Sequence, residues 1–147
     1  MKKRGTFVFV ALLVISVLSF LASITIAQEK TAPGEPSQKP AKFNIERLVI
    51  GTGVENLDPV GVADSFPSST DKLYCFVEAK NIAADTQITA VWFHGEKKVL
   101  ETPLSLKAGA RWRTYAHKNL YGMAGTWRVE INDAKGNPVN EVVFKGE

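Results

Sequence analysis

The sequence predicts an all-β domain, an antiparallel β-sandwich of about seven strands, behind an N-terminal apolar helix and a proline-rich tether. Three observations lead there. From Phe43 onward, apolar residues recur at every second position, the mark of strands with one buried face. Clusters rich in Gly, Pro, Asn, Asp and Ser punctuate these runs about every ten residues. No segment after the first 27 residues sustains a helical stripe.

The chain opens "MKKRGTFVFVALLVISVLSFLASITIAQEK". Lys2, Lys3 and Arg4 precede an uncharged apolar run from Phe7 to Ala27, 21 residues long. That length suits both a signal peptide cleaved after Thr25-Ile26-Ala27 and a helix retained as a membrane anchor. In either case the basic end stays in the cytoplasm and the rest is exported, to the periplasm or to the periplasmic side of the inner membrane. A buried core helix is disfavoured, because such helices normally keep a polar face. The leader also accounts for the basic isoelectric point near 9.0. Of 18 basic residues it holds three, leaving 15 against 15 acidic ones, so the body is neutral and lacks the charge that nucleic-acid binding requires. Residues 28–42, "QEKTAPGEPSQKPAK", have three prolines and no aromatic residue, and read as a flexible tether before a domain at 43–147.

Within that domain the spacing predicts strands over 43–50, 72–80, 86–94, 97–106, 110–117, 125–133 and 137–145. In "KLYCFVEAK" Leu73, Cys75, Val77 and Ala79 face one way, and Tyr74, Phe76, Glu78 and Lys80 the other. "TQITAVWFH" groups Ile88, Ala90 and Trp92, while "TWRVEIND" groups Trp127, Val129 and Ile131. "DAKGNP" reads as a tight hairpin, and "GTGVENLDPVG" as a bent edge segment. Trp92, 17 positions after Cys75, resembles the tryptophan beside a cysteine in immunoglobulin-like domains, although the second cysteine is absent. With Cys75 the sole cysteine, no intramolecular disulfide forms and the core alone must hold the domain.

The stretch "GARWRTYAHK", residues 109–118, packs two arginines, a tryptophan, a tyrosine and a histidine into ten positions. Alternation turns Trp112, Thr114 and Ala116 toward the core and sets Arg111, Arg113, Tyr115 and His117 in an outward ladder. One reading is a solvated face whose arginines pair with nearby carboxylates. The other is a partner-binding face, since guanidinium groups and aromatics suit anionic or sugar-like partners. Tyr74, Phe76 and Phe93 extend that kind of face from other strands. The two readings part on whether the arginines already have carboxylate partners within their own sheet.

Catalysis finds little support. His94 and His117 show no metal-ligand spacing, and Cys75 faces inward, where thiols are inert. "GTGVENLDPVG" lacks the lysine and helix of a phosphate loop, and Asp58, Asp64 and Asp71 are not spaced as calcium ligands. No cofactor or metal is expected.

Four stretches together resemble a bacterial family known as domain of unknown function 2914: "ERLVIGTGVENLDPVGVADSFPSSTDKLYCFVEAKN", "ITAVWFHGEKKV", "RWRTYAHK" and "GTWRVEINDAKGNPV". They run from about Glu46 to Val143, with Leu57 where the family pattern has a charged residue. The resemblance implies an all-β domain, often C-terminal in bacterial envelope or membrane-anchored proteins. It implies no established activity and no catalytic residues, and it directs attention to Arg111, Trp112, Arg113 and Thr114 and to Trp127 and Arg128. The expectation is therefore a non-enzymatic cell-envelope module that binds or scaffolds an envelope protein or a glycan, touching the membrane only through its N-terminal helix if uncleaved. A purely structural accessory domain is the alternative, and an envelope hydrolase a more distant one.

Overall fold

The computed structural model describes residues 42–147. The leader and nearly all of the tether lie outside those residues. Among the described residues no helix is long and apolar enough to cross a membrane. Ten strands follow in order: β1 (Asn44–Gly51), β2 (Gly53–Glu55), β3 (Asp58–Val60), β4 (Ser65–Phe66), β5 (Leu73–Ile82), β6 (Thr86–His94), β7 (Lys97–Leu106), β8 (Gly109–Lys118), β9 (Gly125–Asn132) and β10 (Pro138–Gly146). The seven long ones match the expected strands to within two residues at each end.

They form two layers of unequal width. The narrow sheet has the order β1-β5-β8 and the wide one β4-β10-β9-β6-β7. All long neighbours are antiparallel. The exception is β4, which runs parallel to the end of β10 and brings Phe66 into the core. This stretch lies outside the seven expected strands, because two paired residues leave no periodicity to read.

The core lies between the layers, and the alternation explains its membership. Leu73, Cys75, Val77 and Ala79 from β5 are fully buried, facing Ile88, Ala90 and Trp92 from β6 and Trp127, Val129 and Ile131 from β9. Cys75 and Trp92 sit in one cluster from opposite sheets. Phe144 joins them, stacked on Trp127 with centroids 6.1 Å apart. Trp127 Nε1 donates to the Met123 carbonyl at 3.1 Å, which satisfies the indole inside the core.

Two further features depart from expectation. First, "GTGVENLDPVG" is a small hairpin of its own, β2 paired with β3 in a third sheet. Asn56 and Leu57 occupy its two-residue tip with φ of 50° and 60°, the left-handed geometry of a type I′ turn. Thr52 N donates to the Val60 carbonyl at 3.0 Å and closes its base. The hairpin packs against β5 and β1 because Gly51 presents no side chain: a Cβ there would stand 2.5 Å from the Val60 oxygen. Second, Trp112 is not in the core. It is paired with the buried Ala79, yet β8 is the margin of the narrow sheet, and with no strand beyond it the indole is 38% exposed.

Candidate functional site

The outer face of the narrow sheet carries the expected ladder in four cross-strand rows, because directly opposed residues share a face. Tyr74 lies opposite His117, and Phe76 opposite Tyr115 and Val49. Next come Glu78 between Arg113 and Arg47, and Lys80 between Arg111 and Asn44. Tyr74 meets Tyr115 and His117 edge-on, with centroids 5.7 and 5.8 Å away. Tyr115 and His117 are exposed and Tyr74 is half-buried, so these three do form a continuous aromatic surface.

Phe76 is not part of that surface. It is wholly buried beneath its neighbours, with the Arg47 guanidinium 5.8 Å from its ring and the β2–β3 hairpin packed on its strand. Phe93 lies elsewhere, on the outer face of the wide sheet, where the Arg128 guanidinium stacks 4.3 Å above it. Arg128 in turn bonds Glu130 at 2.8 Å and Glu141 at 3.3 Å. Arg128 is thus engaged within its own sheet by two carboxylates and a ring, and offers no free cation there.

The two arginines of the ladder differ sharply. Arg113 Nε donates to Glu78 at 2.6 Å, and its Nη1 reaches Asp58 at 3.0 Å and the Leu57 carbonyl at 3.3 Å. Glu78 is only 7% exposed, and its hydrogen bond is the main cause raising the Arg113 pKa above the ordinary arginine value. Arg113 is therefore a structural clasp that ties the hairpin tip to β5 and β8. Arg111, one row away, is exposed and has no ion pair among the described residues.

Arg111 instead borders an open groove of about 410 Å³, lined by Asn56, Leu57, Arg111, Trp112 and Arg113. The groove joins the hairpin tip to the margin of β8. Leu57 is 55% exposed, and with Trp112 it gives the groove apolar walls beside a free cation. Sequence reasoning missed Asn56, Leu57 and Trp112 as site residues. Leu57 left a trace, as an apolar residue where the family pattern is charged, and Trp112 left one as part of the family-like "RWRT" stretch, although alternation turned it toward the core.

The remaining reactive groups have structural roles. His94 bonds the Ala124 carbonyl at 2.8 Å and lies 4.6 Å from the Trp127 ring. Cys75 is a free, buried thiol, and desolvation pushes its pKa up to about 12. Among the described residues no three His, Cys, Asp or Glu side chains converge as metal ligands do.

Residues 85–145, spanning β6 to β10, match the family model described as protein of unknown function DUF2914. The expected family likeness is thus upheld, over a shorter stretch than the quoted motifs suggested. No curated protein matches the sequence. Among solved structures, the chain is similar to an immunoglobulin-like protein from Pseudomonas aeruginosa, at 12% identity and TM-score 0.49, over 74% of this chain and 99% of that one. It is also similar to a β-glucosidase from Erythrobacter marinus, at 8% identity and TM-score 0.50, over 73% of this chain. A β-glucosidase from Listeria innocua matches at 11% identity and TM-score 0.46 over 72% of this chain. The chain spans 16% of the length of each glucosidase. At such identities the likeness concerns the β-domain fold alone.

Proposed function

We propose that this protein is an exported cell-envelope module that binds rather than catalyses, and that its contact surface is the free margin of the narrow sheet. Arg111, Trp112, Tyr115 and His117 of β8 form that surface, with Tyr74 of the central strand β5 and Leu57 of the hairpin at its border. The observation that carries the reading is the contrast within one ladder: Arg113 is engaged by two carboxylates, whereas Arg111 is exposed and unpaired among the described residues, next to exposed Trp112 and two rows from exposed Tyr115. A guanidinium flanked by rigid aromatic area is the composition that recurs at the centres of protein contacts. The favoured partner is an envelope protein, with a glycan as the alternative. The basic, uncharged-cored leader supports delivery across the inner membrane.

Capture from envelope extract tests this reading. Wild-type chain retains a partner, and an Arg111→Ala/Tyr115→Ala variant with unchanged melting temperature loses it. Equal capture by both overturns the assignment. The saturated pairing of Arg113 and Arg128 favours a second reading, an accessory domain whose faces are all solvated, and equal capture would leave that one standing.

A further inference from the structure

Building on the contact surface proposed above, we infer that the margin of β8 receives an extended acidic peptide segment as an added strand, anchored by Arg111.

The two layers leave four outer strands, and three of them are poor templates. β4 has two residues. β7 carries Pro103 in its middle, charges at Lys97, Lys98 and Glu101, and a register offset opposite Trp92 and Phe93. β1 has an offset between Ile45 and Arg47. β8 is charged too, with cationic side chains alone, but it has neither a proline nor a register offset. It runs ten residues without proline, and its pairing with β5 is uninterrupted from Lys118 to Arg111. Apart from strand pairing, no backbone hydrogen bond among the described residues involves it. A long, regular edge with unpaired amides and carbonyls is the template on which a peptide adds a strand.

Charge selects the occupant. β8 contains Arg111, Arg113, His117 and Lys118 and no carboxylate. Glu78 and Asp58 both engage Arg113, with Arg47 opposite Glu78 on β1, while Arg111 has no carboxylate partner among the described residues. A second copy pairing through its own β8 would set two cationic strands side by side, an arrangement that like charges disfavour. An acidic strand removes that conflict. Because opposed residues share a face, the peptide residue beside Arg111 lies on the outer face, and the one beside Trp112 on the inner face. The matching pattern alternates acidic and apolar residues, and the groove at Leu57 and Trp112 lies along the same margin.

The test uses the full chain and a synthetic octapeptide of alternating glutamate and valine. Two controls accompany it: a lysine–valine octapeptide, and the acidic octapeptide with alternate backbone amides N-methylated. The expected result is saturable binding of the acidic peptide that slows exchange of the margin-facing amides within residues 110–117, every second one, by at least about tenfold. Neither control protects those amides, and Arg111→Glu weakens binding by about fivefold. If the acidic peptide binds without protecting 110–117, or if N-methylation has no effect, strand addition is overturned while the contact surface stands. If the peptide does not bind but capture from extract still depends on Arg111 and Tyr115, the acidic class is overturned and the contact surface again stands. Failure of both assays overturns both.

Discussion

Arg111 and Arg113 look equivalent in sequence, two positions apart on one face, and the difference between them is the main chemical fact of this surface. Arg113 answers a nearly buried carboxylate, so removing it strands Glu78 without its donor. Arg111 answers nothing among the described residues. Arg113→Ala is therefore expected to lower Tm by roughly 5–10 °C, and Arg111→Ala by no more than about 2 °C. Thermal unfolding of the two variants checks this, and equal losses would erase the distinction. Alternation placed both side chains correctly, but it carries no information about Asp58 or Leu57, which arrive from a hairpin more than fifty residues upstream. The same blindness misplaced Trp112 and Phe76. Period two tells which way a side chain points, not whether a neighbour lies beyond it or a flap lies above it.

The long strands were legible because β-branched and aromatic residues alternate over eight or more positions, and their connections carry recognisable turn chemistry. The "DAKGNP" hairpin is one case. Asp133 accepts bonds from the Lys135 and Asn137 amides, both at 2.9 Å, and from the Asn137 side chain. Asp85 does similar work before β8, taking the Ala108 amide at 2.8 Å and the Lys107 ammonium at 3.0 Å. Both carboxyls titrate below the ordinary aspartate value, Asp133 chiefly through Asn137 and Asp85 chiefly through the Ala108 amide. A pKa depressed on folding stabilises above the unfolded value and ceases to do so as pH falls through the folded one. Urea midpoints should therefore hold steady above about pH 5 and decline below about pH 4. In the Asp85→Asn/Asp133→Asn variant the decline should be shallower, with a lower starting midpoint at neutral pH. A parallel decline in both proteins would refute the role of these turns. The β2–β3 hairpin was illegible for the opposite reason. Its strands have three residues each, and its type I′ tip reads Asn-Leu, where Asn-Gly would have announced it.

At the level of the molecule, the sandwich followed from the count of half-buried strands, whereas the division into three and five did not. Spacing along a chain assigns faces but not neighbours, so it could not show that β8 would end its sheet. The single core holds without cross-links, and its one thiol serves as a built-in reporter. Cys75 is inaccessible and has a pKa of about 12, so an aromatic disulfide reagent should leave the native protein unlabelled over hours. One equivalent should react in denaturant, and at intermediate denaturant the labelling rate should track global unfolding. Rapid labelling of the native state would mean that the two layers part locally at β5.

The arrangement of charge on this face begins with a missing carbon atom. At Gly51 the hairpin lies so near the first strand that even a methyl would meet the Val60 oxygen at 2.5 Å. A bulkier residue would lift the flap, draw Asp58 and Leu57 away from Arg113, and free that cation to compete with Arg111 for any visitor. The charge pattern of the proposed contact surface thus depends on a position that bears no functional group and lies apart from the cations it separates.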